Sequence, residues 1–400
     1  MKLVSVSTHR SPDDAANVRI TGLVESAAGE KIDIWYEVPS GLESELSDTG
    51  NPWLIAMLPY AVKTGEALTM SLPVDPELLE NVKGLVATWC NWYPELFTPK
   101  IEVPTMSTPA LAPNRRTVAF FSGGVDSWFT ALRHIPELES AAIGQVDDLL
   151  IVHGFDISVY DKDEFAILGK TLLGDAKKVN RNLIVVRTNL RKYGSLWASR
   201  WGLLTNSPGL ASVALILEKR FSKALIGSSH PFGPALIPWG SHPLTDSLLS
   251  TRSLVVKHDG ASFNRVEKTT LVARHPAALS DLHVCWRDSG ASNCGECQKC
   301  IRTMATLHLL GVLKANNPFP KAFEADKLAA LYLEDNNEED FIREVLDLAQ
   351  SKGDKIVADA AQKTLQRSAK LRPWVRFADN LADVPGLWKF APKMRKLLVG

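Results

Sequence analysis

Long apolar runs are missing from this chain. None of its 400 residues belongs to a stretch approaching the ~18 apolar residues that a membrane-crossing helix needs, so no span is expected. The first ten residues, Met1 to Arg10, lack the apolar centre of a signal peptide, and a cytoplasmic location is expected. Net charge is also missing: 45 Lys and Arg stand against 45 Asp and Glu. That weakens any reading that needs a broad electrostatic grip on a phosphate backbone, and nucleic acid is not an expected partner. No internal repeat and no low-complexity tract is present, and a hydrophobic content of 45% is ordinary for a globular protein. Cysteine is scarce, at five residues, and four of the five lie close together.

The length suggests two or three domains. Residues 1–115 read as a β-rich α+β domain of unknown role. Ile32–Val38, Leu54–Val62 and Ala67–Leu72 have strand character, Leu78–Trp89 reads as a helix, and Ile101–Val103 as a closing strand. Its aromatics (Trp35, Tyr36, Trp53, Trp89, Trp92, Tyr93) read as core rather than a binding face. The proline-rich segment 104–114 reads as a linker. Residues 116–310 then alternate. Val118–Phe121, Leu149–Val152, Leu183–Val186 and Ala224–Ile226 read as strands; Trp128–His134, Glu164–Val179 and Leu210–Phe221 as helices. Such alternation implies an α/β fold, a doubly wound parallel sheet. Residues 311–400 read as a helical extension, with basic residues (Lys389, Lys393, Arg395, Lys396) near its end expected on a solvated surface.

Two clusters carry chemistry. The first is Ser122-Gly123-Gly124-Val125-Asp126-Ser127, between a strand and a helix. Glycines permit a sharp turn and close approach. The unpaired N–H groups and dipole of the following helix attract a phosphate chain. Gly169-Lys170-Thr171 ends like a second phosphate loop, but the first glycine of that pattern would fall at Glu164, and a polar helix interior is expected. The second cluster is Cys285, Cys294, Cys297 and Cys300. Its short spacings and the intervening Gly295 suit a tetrahedral zinc site closed by four thiolates. His283 could replace one ligand, and disulfides or inert thiols are the alternatives.

The Ser-Gly-Gly-x-Asp-Ser spelling resembles the pyrophosphate loop of the PP-loop ATP pyrophosphatases, with an adenine nucleotide α-hydrolase-like fold. Those enzymes cleave ATP between the α- and β-phosphates and adenylate a substrate. The cysteine pattern, followed by Ile301-Arg302, is similar to the zinc motif of the 7-cyano-7-deazaguanine synthases of queuosine biosynthesis. The resemblance covers roughly Thr117 to Leu310. It implies an ATP-dependent, C–N bond-forming ligase using ATP, Mg²⁺ and Zn²⁺. The substrates would be a deazapurine-like carboxylate, such as 7-carboxy-7-deazaguanine, and ammonia or an amine, giving an amide or nitrile.

Ser122, Gly123, Gly124, Asp126 and Ser127 map onto the family loop, with Asp126 orienting it or holding Mg²⁺ through water. The strand-end rule adds His153, Gly154, Phe155 and Asp156, then Arg187–Asn189, then Gly227, Ser228 and His230. His153-Gly154-Phe155 would read adenine, with Arg187, Gly227 and Ser228 around the nucleotide; His153 could equally be a hydrogen-bonded core histidine. His230, His242, Asp246 and Arg252 lie in or beside a long Pro-, Gly- and Trp-rich segment, 230–251, able to act as a lid over the α-phosphate. Asp126, Ser127, His230, Asp246 and Arg252 are the candidate catalytic residues.

The chain departs from the synthases in two ways. It adds residues 1–115, which could serve a protein partner, and it lacks their Pro-Asp-Cys-Arg run. Two other classes stay open. A tRNA-modifying sulfur transferase would need a reactive thiol, for which Cys90 is left once the four ligands are assigned. A nucleotide-binding sensor or scaffold would need no chemistry.

Overall fold

A computed structural model describes the chain except residues 108–113, 141, 193, 234–236, 286–291, 314–317, 382–389 and 400. Part of the expected linker and Lys389 therefore lie outside the described residues. Two compact units are present, Met1–Phe263 and Asn264–Gly400.

In chain order the first unit runs β1 (Lys2–Arg10), β2 (Asn17–Glu25), β3 (Lys31–Pro39), α1 (Asn51–Thr64), β4 (Leu68–Thr69), α2 (Pro76–Trp92), β5 (Ile101–Glu102), β6 (Arg116–Phe120) and α3 (Val125–Leu132). It continues through β7 (Asp148–His153), α4 (Lys162–Lys178), β8 (Asn182–Thr188), α5 (Gly194–Ser199), α6 (Asn206–Ile216), β9 (Phe221–Gly227) and β10 (Val255–Asp259). All ten strands form one sheet in the order β10-β9-β6-β7-β8-β3-β2-β1-β4-β5. β6 to β10 are mutually parallel. β1, β2 and β3 are an antiparallel meander. The chain is thus α/β with a mostly parallel sheet.

The boundary expected at 115/116 lies inside this unit. β3 pairs antiparallel with β8 at Tyr36↔Thr188 and Glu37↔Arg187. Thr188 Oγ1 donates to the Trp35 carbonyl at 2.7 Å, and Asn189 Oδ1 accepts the Trp35 N–H at 2.9 Å. Beside the joint, the Tyr36 hydroxyl donates to Ser212 of α6 at 3.0 Å, and Trp53 of α1 packs edge-on to Tyr36 at 5.8 Å. Buried Glu218 ties the end of α6 to Ser47, Thr49 and Asn51. One apolar core therefore takes side chains from α1, α2, α6 and both halves of the sheet.

Leu54–Val62 is not a strand but the middle of α1. Pro52 opens that helix, and Gly65 closes it in the left-handed region at φ +74°. The segment is buried almost all round, so it has no amphipathic period, and an apolar run alone does not separate a buried helix from a buried strand. β1, β2 and β10 complete the sheet without having been expected.

In the parallel half, the order in which strands are added reverses at β6. The path moves from β6 to β7 and β8, then crosses back to β9 and β10 on the other side. Phe121, just past β6, meets Trp128 of α3 edge-on at 4.8 Å. Val118 and Phe120, on the opposite face of the same strand, join the core containing α6. Helices thus cover both faces, and the carboxyl ends of β6 and β9 flank the switch point where α/β sheets bind ligands.

The second unit holds α7 (Arg265–Ala273), α8 (Pro276–Ser280), α9 (Gln298–Leu309), α10 (Ala325–Ala329), α11 (Asn336–Lys352), α12 (Lys355–Asn380) and α13 (Ala391–Val399). Its core joins Ile301, Ala305 and Leu309 of α9 to Leu328, Ile342, Val345, Val357 and Leu365. The boundary expected at 310 consequently falls inside it: α9 is capped by one cysteine, contains another, and carries this core along its length.

Candidate functional site

The Ser122–Ser127 loop sits at the switch point. Gly123 is left-handed at φ +77°, which turns the chain off β6. Gly124 is the N-cap of α3, and no side chain caps the helix. The first turn is held from within: Ser127 Oγ donates to the Gly124 carbonyl at 3.0 Å, and Trp128 N–H to the same carbonyl at 2.9 Å. Ser122 Oγ lies 3.5 Å from Ser127 Oγ. Gly227, the last residue of β9, packs directly on this turn. A Cβ there would stand 2.9 Å from the Asp126 carbonyl oxygen. Ser228 comes next, fully buried, its N–H donating to the Asp259 carbonyl at 2.8 Å. Ser122, Gly123, Gly124, Asp126, Ser127, Gly227 and Ser228 are therefore one neighbourhood.

The end of β7 is different. His153 is 2% exposed, its Nε2 donates to the Ser158 carbonyl at 2.9 Å, and its ring stacks on Phe165 at 4.0 Å. Burial pushes its pKa below the ordinary value, with the Ser158 carbonyl opposing. It is a neutral core histidine. Gly154 is left-handed at φ +119°, and its N–H is taken by the Ile157 carbonyl. Phe155 is buried against Trp201 at 4.7 Å, and its carbonyl accepts from Arg191. The expected adenine-reading groups at 153–155 are thus committed to an internal turn, because the turn must satisfy its own buried backbone. Asp156 is exposed.

Arg187 does not join the loop either. It bonds Glu37 at 2.5 Å across the β3–β8 joint and reaches Asp13 at 3.7 Å. Two strands separate it from β9, and Asn189 closes the same joint.

Segment 230–251 gathers part of the expected set. His230 is half-buried and edge-on to Trp239 at 5.8 Å. Asp246 is fully buried. Its Oδ1 accepts the His242 N–H at 2.9 Å; its Oδ2 accepts the Ser241 hydroxyl and His258 Nδ1, each at 2.8 Å. Three donors hold the buried carboxylate, so Asp246 orients its neighbours. His242 Nδ1 accepts the Leu244 N–H at 3.1 Å, leaving the proton on Nε2, edge-on to Trp92. Burial lowers its pKa, with Asp246 opposing. Arg252 falls at the wrong end of the sheet. It precedes the amino end of β10, near Glu77 at 4.0 Å, whereas the loop lies at the carboxyl ends. The five residues of β10 separate the two edges by about 16 Å at ~3.3 Å per residue.

The cysteine cluster forms as expected. The four Sγ atoms lie within 4.8 Å of one another. Cys285–Cys297 and Cys294–Cys300 are each 3.9 Å apart. A disulfide needs about 2.05 Å, so these are not disulfides. Tetrahedral zinc with Zn–S near 2.3 Å places its sulfurs about 3.8 Å apart, and the observed spacing fits. His283 is not in the set. Gly295, left-handed at φ +71°, turns the chain so that N–H groups of Glu296 and Cys297 point at Cys294 Sγ, at 3.4 and 3.2 Å. Cys297 caps α9, its sulfur accepting the Cys300 N–H at 3.5 Å. The Cys300 thiol and backbone beside it pull the Cys297 thiol down to about 5, against burial, while the Cys300 thiol is pushed up by its neighbour Cys297. Thiolates this close repel one another, and a divalent cation relieves that repulsion. The four cysteines can hold a metal such as zinc and leave no open position.

No protein-family model matches this chain, and comparison with curated proteins and with solved structures finds no match.

Several participants have no signature in the sequence. Asn293, 3% exposed, accepts the Val284 and Cys285 N–H groups on Oδ1 and donates to the Leu282 and Pro318 carbonyls, clamping the cysteine arms together. Asp259 ends β10 and accepts from His134, just past α3, at 3.1 Å. His258, one residue earlier, faces the opposite side and meets Asp246. An Asn or His with no motif around it gives no sequence signal.

Proposed function

We propose that the protein is an ATP-dependent ligase that adenylates a carboxylate and transfers the acyl group to ammonia or an amine. One observation carries this reading. A glycine-turned Ser-Gly-Gly-x-Asp-Ser loop ends on an uncapped helix at the sheet's switch point, with Gly227 packed against it. This is a cradle for a triphosphate. In the proposed reaction a carboxylate oxygen attacks the α-phosphorus, and the bond to pyrophosphate breaks. The amine nitrogen then attacks the acyl carbon, and AMP leaves. Backbone N–H groups at the start of α3 and the Ser122 and Ser127 hydroxyls stabilise the pyrophosphate charge. Asp126 would hold Mg²⁺ through water, and the ion would neutralise the phosphates. The zinc-type cluster has a folding role, since four thiolates leave no site for water.

The deazaguanine-synthase resemblance supplies the acceptor to try first. Incubation with Mg·ATP, 7-carboxy-7-deazaguanine and ammonium chloride is expected to yield AMP, pyrophosphate and an amidated deazaguanine, or its nitrile where a second ATP activates the amide oxygen to leave with AMP. AMP without a deazaguanine product would reject that acceptor. Absence of AMP and pyrophosphate, with carboxylates of several classes, would reject the ligase.

A further inference from the structure

We propose that Asp246 and His258 form the proton-accepting dyad of the amine-transfer step, with His258 Nε2 as the base. The role rests on the ligase reading; the dyad itself rests on geometry. Asp246 Oδ2 lies 2.8 Å from His258 Nδ1. In the neutral tautomer that donates from Nδ1 to this carboxylate, the lone pair sits on Nε2. The Ser241 hydroxyl and the His242 N–H fix Asp246 from two other sides. This is the arrangement of a base held by a third group.

Among the described residues His258 Nε2 makes no hydrogen bond, and it is not among the sealed polar atoms that lack one. His153 and His242 each use a ring nitrogen on backbone and are buried. His134 is 4% exposed and bonded to Asp259. His258 is thus oriented by a carboxylate, with a side chain that is 7% exposed.

Its position is also appropriate. In the parallel register His258 stands beside Ile226, and Asp259 beside Gly227. With strands ~4.8 Å apart and a rise of ~3.3 Å, the backbone of His258 lies about 6 Å from that of Gly227. Gly227 in turn touches the phosphate loop. Alternation along the strand sends Asp259 toward α3 and His258 toward Asp246. An amine attacking an acyl-adenylate held at this edge loses one proton as the C–N bond forms and the C–O bond to AMP breaks. His258 Nε2 takes that proton and later returns it to water.

The test separates the half-reactions. His258→Asn keeps an N–H donor where Nδ1 stands and removes Nε2; His258→Gln does the reverse. With Mg·ATP and 7-carboxy-7-deazaguanine, pyrophosphate exchange into ATP by His258→Asn should stay within about threefold of wild type. Product formation with ammonium chloride should fall by roughly 10²–10⁴-fold, the usual contribution of a general base. Equal losses in both steps, or unchanged product formation, would overturn the assignment. An independent arm needs no substrate. Carbethoxylation of the wild-type protein by diethyl pyrocarbonate, mapped by peptide mass, should mark His258, and Asp246→Asn should change its rate. An unreactive His258 would also overturn the dyad. A wild type that is reactive at His258 yet inactive in exchange would count against the ligase reading alone.

Discussion

Two glycines at strand ends test the difference between a turn that folds the protein and one that serves a ligand. At Gly154 a Cβ would stand 2.0 Å from the Thr188 carbonyl, and φ is +119°. Gly154→Ala is expected to prevent folding of the first unit, seen as loss of a cooperative thermal transition. At Gly227 the obstacle is the Asp126 carbonyl at 2.9 Å, with φ outside the left-handed region. Gly227→Ala should fold, displace the loop, and lower ATP-dependent pyrophosphate release by at least tenfold. Wild-type release by Gly227→Ala would separate the loop from the chemistry. Charge is tested at Asp148, buried between Arg116 at 2.6 Å and Arg220 at 2.9 Å. Burial pushes its carboxyl up, but the two guanidiniums and Asn182 outweigh it and hold the pKa below the usual value. The folded value lies below the unfolded one, so this stabilisation is complete above about pH 4 and is lost as pH falls through the folded value. Asp148→Asn should cost about 2–3 kcal/mol at pH 7, less than a sealed pair because both arginines keep some water. Denaturant titrations should show that cost shrinking below about pH 4; a pH-independent cost would reject the charge argument. Ser122 to Ser127 was legible because its spelling is local. His258 was not: its meaning comes from Asp246, which chain connectivity places 12 residues away and topology brings into contact.

Elements were legible where their pattern had a period or a motif. The strands β6 to β9 are short apolar runs separated by helical stretches, and the alternation names the fold class. α1 was misread because burial on all sides erases the period. β10 is only half-buried, with Lys257 and His258 inside it, and carries no apolar run. α9 shows how a metal site and a core can share one element. Its first turn is capped by Cys297 and contains Cys300, while Ile301, Ala305 and Leu309 continue into the core of the second unit. Metal binding and folding should therefore be coupled. The purified protein is expected to release one zinc per chain to a chelating dye after thiol modification. Cys297→Ser should lose that zinc and the helical signal of residues 264–400 together, read by circular dichroism on the isolated unit. Retained helicity without metal would show that the apolar core alone folds it.

At the scale of the molecule, the expected separate domain 1–115 shares a sheet and a core with residues 116–263. Composition does not reveal such a junction, because β3 and β8 each read as an ordinary strand; only their pairing makes the edge disappear. The consequence is physical. Without residues 1–115, β8 would present unpaired N–H and C=O groups, a template for aggregation. α6 would lose Tyr36 and Trp53, both fully buried. The apolar surface of α6 that they cover would be returned to water, at about 25 cal/mol per Å². Glu218 would also lose the three side chains that satisfy it. A fragment 116–263 is thus expected to aggregate or lack a cooperative transition, whereas 1–263 should fold and run as a compact species in size-exclusion chromatography. A folded, monomeric 116–263 would show that the first segment is an accessory laid on a complete sheet. Its failure, with 1–263 intact, would mean that residues 1–115 are part of the scaffold that holds the Ser122–Ser127 loop.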